Sequence, residues 1–560
     1  MKKKIFISCF MTIVFLFMVP SSVFAFSKDT NTHSISCIMK VNKLNHHEKD
    51  KIIKFPDSSL EKIIREVIKK SKGDIYQSDV HNIKILEAKS RNITNLDGLE
   101  YLTGLIYLNL SQNYKLKDID VLSNLTKLRV LSLRNTEISN ITPLRNLTSL
   151  ESLDLWGSKV VDISPLVNLT NLQDLELSYN EISDISSLHK LKGLTELNLA
   201  SNEIINISSL SNLINLKNLS LDFNKVSDIE PLSNLTELNQ LSLYTNKINN
   251  INFLSNLTNL TRLSLGNNNI FDLKPLKSLI NLRSLGLMNN KVNVINTLTN
   301  LINLEYLDVS ENQITNIKHL ESLTKLKYLS LRENLIENVE GMKSLISLED
   351  LNLRHNQIND IKGLGDLNKL QKLLLDYNQI SDINELSSLS NLTSLGLNNN
   401  KITDIDGLGS LSNLKHLYLE NNKITNIKGL STLINLRRLN ISNNQITDIS
   451  PIKELPNLTK VYFSDNPIPN YVYKDAMYKR FILSVLNPYI YEAISKYYGE
   501  SRQYMDSGIL DIKVIQGGYK IKVRVTTFVG SHNPPYGLDT MIIIKDNSGI
   551  YVEDFQHEEI

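Results

Sequence analysis

Two histidines and an asparagine near the C-terminus carry side chains suited to holding a metal or passing a proton: His532, Asn533 and His557. Their spacing matches no standard zinc pattern, and no partner carboxylate can be singled out for them. His532 and Asn533 lie in the run Thr527-Phe528-Val529-Gly530-Ser531-His532-Asn533-Pro534-Pro535-Tyr536-Gly537. There Pro-Pro and Gly favour a tight turn over a catalytic or metal centre. The chain has no Gly-x-Ser-x-Gly elbow, no His-Glu-x-x-His and no phosphate-cradling loop. The sequence therefore predicts neither an enzyme nor a cofactor or metal.

The second kind of chemistry is that of contact. The sole tryptophan, Trp156, is followed at related spacings by Tyr179, Phe223 and Tyr244. Around them lie Asp154, Asp174, Glu176 and Asp222. Aromatic anchors are enriched where proteins bind partners. Trp156, Tyr179, Phe223, Tyr244, Asp154, Glu176 and Asp222 are the predicted partner-binding residues. A second group comprises Tyr306, Tyr328, Arg332, Glu333, Arg354, His355 and Tyr377; a third comprises Tyr418, Arg438, Lys460 and Tyr462.

A repeat sets these spacings. From residue 131 onward a Leu-x-Leu-x-x-Asn pattern returns every 22 residues, with its second apolar position at Leu133, Leu155, Leu177 and onward to Phe463. One earlier copy ends at Leu110, 23 residues before Leu133, so one residue is inserted, near Tyr114. Leu86-Glu87-Ala88 reads as an atypical entry copy. In Leu153-Asp154-Leu155 the alternation has period two, which suits a short strand with both leucines inward. Val160, Ile163, Leu166, Leu169 and Leu172 are also predicted inward. Seven apolar residues in 22 form a core only when stacked on neighbouring repeats. The return segments are too short for α-helices, so extended or single 3₁₀ turns are expected. Strands stacked side by side should curve the array, with the strands on its concave face.

An asparagine column runs from Asn180 through Asn268 to Asn466, replaced after residue 131 only by Thr136 and Ser158. Buried side-chain amides that pair with backbone explain it without a ligand. Asn-Leu-Thr triplets such as Asn124-Leu125-Thr126 match the glycosylation pattern, but they recur because the repeat does, and their leucine is a core position.

The ends bound the setting. Met1 to Lys4 is basic, Ile5 to Val19 is apolar, and Val23-Phe24-Ala25 offers a cleavage site, the three parts of an export signal. Removing Lys2, Lys3 and Lys4 takes three charges from the formal +2 and leaves −1, which gives no general attraction to nucleic acid. Only Cys37 would remain, so no intramolecular disulfide is expected. No later stretch is long enough to span a bilayer, and no wall-sorting signal is present.

The repeats resemble the internalin family of leucine-rich-repeat surface proteins of Gram-positive bacteria. The likeness rests on Leu166-Val167-Asn168-Leu169-Thr170-Asn171-Leu172-Gln173-Asp174-Leu175-Glu176-Leu177 and on Asn444-Gln445-Ile446-Thr447-Asp448-Ile449-Ser450-Pro451. The preceding segment, from Phe55-Pro56-Asp57 to Leu102, is similar as well, and in that family it is a helical cap. The residues support a cap on their own: Asp57 can cap a helix on which Leu60, Ile63, Ile64, Val67 and Ile68 share a face. The resemblance implies protein binding through the concave face. It fails at the C-terminal end, where no immunoglobulin-like segment follows the repeats.

Beyond Asn466 the phase stops at Pro467 and Pro469. Residues 474–498 read as two helical pieces divided near Asn487-Pro488, followed by four strands beginning near Ile509, Tyr519, Met541 and Ile550. With Tyr497-Tyr498-Gly499 and His557, the Thr527–Gly537 motif resembles a family of small secreted-protein domains of unknown function. The predicted architecture is an α/β-type repeat solenoid. It divides into a signal peptide (1–25), a linker (26–50), a helical cap (51–85), leucine-rich repeats (86–466) and a small α+β domain (467–560). The predicted function is that of a secreted, monomeric binding or adhesion protein. Its ligand would be a protein or glycan, with no nucleic acid and no transmembrane segment. The alternative is an enzyme, or an envelope-attachment device, in the C-terminal domain.

Overall fold

The computed structural model describes residues 50–453, 455–468, 476–498, 503–515, 518–529, 533–546 and 549–559. The predicted export signal, most of the linker, Cys37 and His532 lie outside the described residues, as does the side chain of Asn533.

A short antiparallel pair, β1 (Ile52–Ile53) and β2 (Ile75–Tyr76), brackets helix α1 (Ser58–Ile68), and α2 (Gln77–Val80) follows. Asp57 caps α1, accepting from the backbone N–H groups of Ser59 and Leu60. Leu60, Ile63 and Ile64 are buried as expected, whereas Val67 is 43% exposed and does not join that face.

Eighteen strands then run in chain order from β3 (Ile85–Glu87) to β20 (Lys460–Tyr462), all parallel and each three residues long. Register is preserved throughout the ladder: Leu153 sits beside Leu131 and Leu175. The extra residue near Tyr114 leaves register intact, with Tyr107 beside Val130. Tyr114 projects into solvent, so the insertion is absorbed at the surface. The entry copy Leu86-Glu87-Ala88 is part of the ladder, since β3 pairs with the next strand. Among the described residues, β3 and β20 do not pair with each other, so the sheet is open.

The leucines behave as their period requires. Leu153, Leu155, Val160, Leu166, Leu169 and Leu172 are wholly buried, and Ile163 nearly so. The return segments are single 3₁₀ turns such as Ser164–Asn168, except between the strands Asp350–Asn352 and Lys372–Leu374, where residues 362–366 form plain turns. The asparagine column lies inside. Asn268 Nδ2 donates to the carbonyls of Leu243 (2.9 Å), Leu265 (3.0 Å) and Gly266 (3.1 Å), and its Oδ1 accepts from Ile248 N–H (2.9 Å). One side chain thereby ties two successive turns. Thr136 and Ser158 hold the column where asparagine is missing, each donating its hydroxyl to the carbonyl of Leu133.

Two further Asn/Asp columns emerge. Asn171, Asn259 and Asn435 reach back one turn to the carbonyls of Thr148, Thr236 and Ser412. Asp162 and Asp184 accept from the N–H of Ser164 and Ser186 at the start of each 3₁₀ turn. Of these residues, Asn259 begins an Asn-Leu-Thr triplet, and its side chain is held by the fold.

Past β20 the chain forms α3 (Ala476–Tyr498), one continuous helix with Pro488 inside it rather than two pieces. Pro488 and its neighbour Asn487 are exposed, so the ring and the missing N–H face water on a helix anchored by Leu486, Ile490 and Ile494. Four antiparallel strands follow as a meander: β21 (Gln503–Ile515), β22 (Gly518–Val529), β23 (Asn533–Asp546) and β24 (Gly549–Glu559). Val523, Val525, Met541 and Ile543 are buried in this unit.

Candidate functional site

The strand face presents three outward positions per repeat, free of the leucine requirement. The structure pairs the predicted aromatic residues on that face. Trp156, just after β6 (Ser152–Asp154), meets Tyr179, after β7 (Asp174–Glu176), with ring centroids 5.0 Å apart. Arg134 also lies over the indole ring, 4.5 Å from its centre. Phe223 and Tyr244 form an edge-to-face pair at 5.5 Å. Gly266 makes room for this pair, because a Cβ there would stand 2.8 Å from the Tyr244 ring. The two pairs are separate; no described ring contact joins them.

The predicted acidic residues lie beside these rings, but they are engaged in the fold. Asp154 accepts from Trp156 N–H (3.0 Å) and from the Ser132 hydroxyl (3.2 Å). Glu176 accepts from Ser178 N–H and from Asn198 Nδ2, both at 2.8 Å. Asp222 accepts from the Ser242 hydroxyl (2.6 Å) and Tyr244 N–H (2.7 Å). Burial raises the Glu176 carboxyl above its ordinary value and pushes Asp222 up to about 6, against the opposing effect of those hydrogen bonds. These carboxylates position the strand ends and the aromatic backbone. They offer less free charge than the sequence suggests.

A conformational feature of the face was not legible in the sequence. The residue preceding each ladder asparagine has positive φ, near 55°, from repeat to repeat. Asparagine tolerates this left-handed conformation and fills it at Asn135, Asn267, Asn289, Asn399, Asn421 and Asn443. Tyr179 (φ 56°), Phe223 (φ 54°), His355 (φ 53°) and Tyr377 (φ 58°) occupy the same position. Bulky side chains pay a steric penalty there that asparagine largely avoids.

The second predicted group is likewise assembled. Tyr306 stacks on Tyr328 at 4.5 Å, and His355 on Tyr377 at 4.2 Å. Arg354 pairs with the buried Asp376 at 2.5 Å, and Arg332 pairs with Glu311 and Glu333. The third group falls on the last strands of the ladder.

In the C-terminal unit the structure supplies a carboxylate for His557 that the sequence could not single out. Asp539 and His557 face each other across β23 and β24, and His557 Nδ1 stands 2.7 Å from Asp539 Oδ1. Tyr498 donates its hydroxyl to the same carboxylate at 2.9 Å. Asp539 is completely buried. Among the described residues no cluster of three or more His, Cys, Asp or Glu could hold a metal.

Residues 126–168, 302–344, 390–432 and 434–471 match a family described as leucine-rich repeats in two copies, and residues 148–204 match another leucine-rich-repeat family. A leucine-rich-repeat protein of Leptospira interrogans is 30% identical, across 66% of this chain and 97% of the other, with a TM-score of 0.60. The chain is a leucine-rich-repeat protein. An internalin (inlF) from Listeria monocytogenes is also 30% identical to this leucine-rich-repeat protein, across 73% of this chain and 96% of that one, with a TM-score of 0.44. The ectodomain of the plant membrane receptor kinase GASSHO1/SCHENGEN3 from Arabidopsis thaliana, solved in complex with Casparian strip integrity factor 2, is 26% identical. That likeness covers 67% of this chain and 51% of the other, with a TM-score of 0.54. Residues 478–559 match a family described as a protein of unknown function (DUF3888). No curated protein matches the chain. Among the described residues, no helix of the leucine-rich-repeat protein is long and apolar enough to cross a membrane.

Proposed function

We propose that this leucine-rich-repeat protein is an exported binding protein of a Gram-positive bacterium, and that its strand face takes a protein ligand. Trp156, Tyr179, Phe223 and Tyr244 are the anchors; Asp154, Glu176 and Asp222 hold them in place and rim the contact. The observation that carries this reading is the left-handed column. Asparagine is the low-strain occupant, yet Tyr179 and Phe223 stand there with rings paired to Trp156 and Tyr244. Folding gives no reason for that choice, whereas an interface does. The plant receptor ectodomain solved in complex with Casparian strip integrity factor 2 supports the reading that a leucine-rich-repeat array can serve as a binding scaffold. A partner should be captured with the full chain from host and bacterial surface fractions, identified, and its affinity measured. Trp156→Ala and Tyr244→Ala each weaken binding about tenfold or more while the melting temperature stays near that of the wild type. Two variants binding the identified partner as tightly as wild type would remove this site.

A second reading has a specific observation behind it. The buried Asp539, hydrogen-bonded to His557, is an arrangement that orients an imidazole for proton transfer. Hydrolase assays comparing the full chain with His557→Gln test it.

A further inference from the structure

The last strands of the ladder gather cations that form no ion pair among the described residues. β18 (His416–Tyr418), β19 (Arg438–Asn440) and β20 are in register, with His416 beside Arg438 and Arg438 beside Lys460. Lys415 and Arg437 immediately precede β18 and β19. Lys415, Arg437 and Lys460 are exposed, while His416 and Arg438 are half-buried. Strands about 4.8 Å apart place these five basic side chains on roughly 10 Å of ladder.

Elsewhere on the face several cations are paired, and Arg262 on the strand Arg262–Ser264 stands singly where β18–β20 gather five basic side chains. Arg134 lies 3.8 Å from Asp154, Lys372 pairs with Asp350 at 2.9 Å, and Arg354 pairs with Asp376. Lys415, Arg437, Arg438 and Lys460 have no carboxylate within ion-pair distance among the described residues. The fold does not require cations here, because the first strand position accepts Ser152, Asp174, Glu196 or Gln240 in other repeats. His416 registers the uncompensated charge. Burial first, then Arg438, Arg437 and Lys415, hold its imidazole below the ordinary value. Its Nδ1 is enclosed and has no hydrogen-bond partner among the described residues.

We infer that the β18–β20 face docks an acidic segment of a partner protein, whose carboxylates are taken by Lys415, Arg437, Arg438 and Lys460. An arginine guanidinium matches a carboxylate with two parallel hydrogen bonds. An extended peptide rises about 3.3 Å per residue, so about three residues span the patch. Tyr418 and the exposed Tyr462 add ring surface beside the cations. A protein segment fits better than a continuous polyanion. Glu420, held by Asn440 Nδ2 at 2.9 Å, and the exposed Asp465 interrupt the positive field. Spaced carboxylates avoid these two groups, and an unbroken row of sulfates or phosphates does not. The patch lies roughly 40 Å along the ladder from Tyr244, the nearest aromatic anchor, and farther from Trp156, so the two sites stand or fall separately.

The test uses the full chain and a labelled peptide of alternating Glu and Ser, about a dozen residues long, in a fluorescence anisotropy titration. Parallel arms use the matching Lys-Ser peptide and a heparin oligosaccharide of equal charge. The acidic peptide binds, and raising salt from about 50 to about 300 mM weakens it. Arg437→Gln combined with Lys460→Gln weakens it about tenfold, Lys460→Glu alone weakens it measurably, and Trp156→Ala leaves it unchanged. Both altered positions are exposed, and a thermal melt checks that the variants fold. Three results overturn the inference: no binding of the acidic peptide, equal affinity for the folded variants, or tighter binding of the heparin oligosaccharide.

Discussion

At the scale of single residues, most polar side chains of the repeat belong to the fold. Asn268 makes three donations and one acceptance in the interior. Asn268→Ala strands those carbonyls and the Ile248 N–H, and it lowers stability by about 1–3 kcal/mol, read from denaturant unfolding. That column was legible because its spacing never drifts. The left-handed column one residue earlier was not, since residues as different as Asn, Glu, His and Phe fill it and nothing in their types announces φ. Asp222 gives a pH signature. Its folded-state value, about 6, lies above the ordinary 3.8, so its contribution favours the fold fully below about pH 4 and is lost as pH rises through 6. Asp222→Asn keeps an oxygen for Ser242 and Tyr244 and removes that slope. Unfolding midpoints measured from pH 4 to 8 should show the variant more stable above pH 6, by on the order of 1 kcal/mol.

At the scale of elements, one carboxylate joins the cap to the repeats. Asp57 caps α1 with one oxygen, and with the other it accepts from the N–H groups of Thr94 (2.8 Å) and Asn95 (3.3 Å). Burial alone would raise its value; the backbone donors outweigh that and hold it below the ordinary range. Its stabilisation is therefore present above pH 3.8 and lost as pH falls through the lower folded value. Asp57→Ala lowers stability by about 1–2 kcal/mol at neutral pH, and the difference from wild type shrinks below pH 4, as thermal melts at each pH would read. The helix of the cap was readable from its N-cap and apolar spacing. Asn487-Pro488 predicts a break that α3 does not make, because packing through Leu486, Ile490 and Ile494 carries the helix past a residue that locally opposes it. The partner of His557 could not be read either. Asp539 becomes its neighbour only through the β23–β24 register.

At the scale of the whole molecule, the ladder is a sum of near-identical units, each touching only its neighbours. A period that recurs in phase is the strongest signal a sequence carries, so the solenoid was legible in full. Ligand choice was not, since it depends on which outward rings meet, such as Trp156 with Tyr179. Excising residues 273–294 removes one whole period and leaves every inward position in phase. That shortened chain folds cooperatively by circular dichroism and elutes as a smaller particle, whereas removing 16 residues from the same place breaks phase and gives aggregation.

The same ladder governs how the protein would respond to tension. Each strand is only three residues long and is bonded side by side to its neighbours. Pulled apart by its two ends, the array is loaded across those short rows one after another, as in a zip fastener, and not all together. Each row that yields frees about 70 Å of chain. Extension would therefore proceed by near-uniform steps at modest force, making the molecule a compliant tether that lengthens gradually before it breaks.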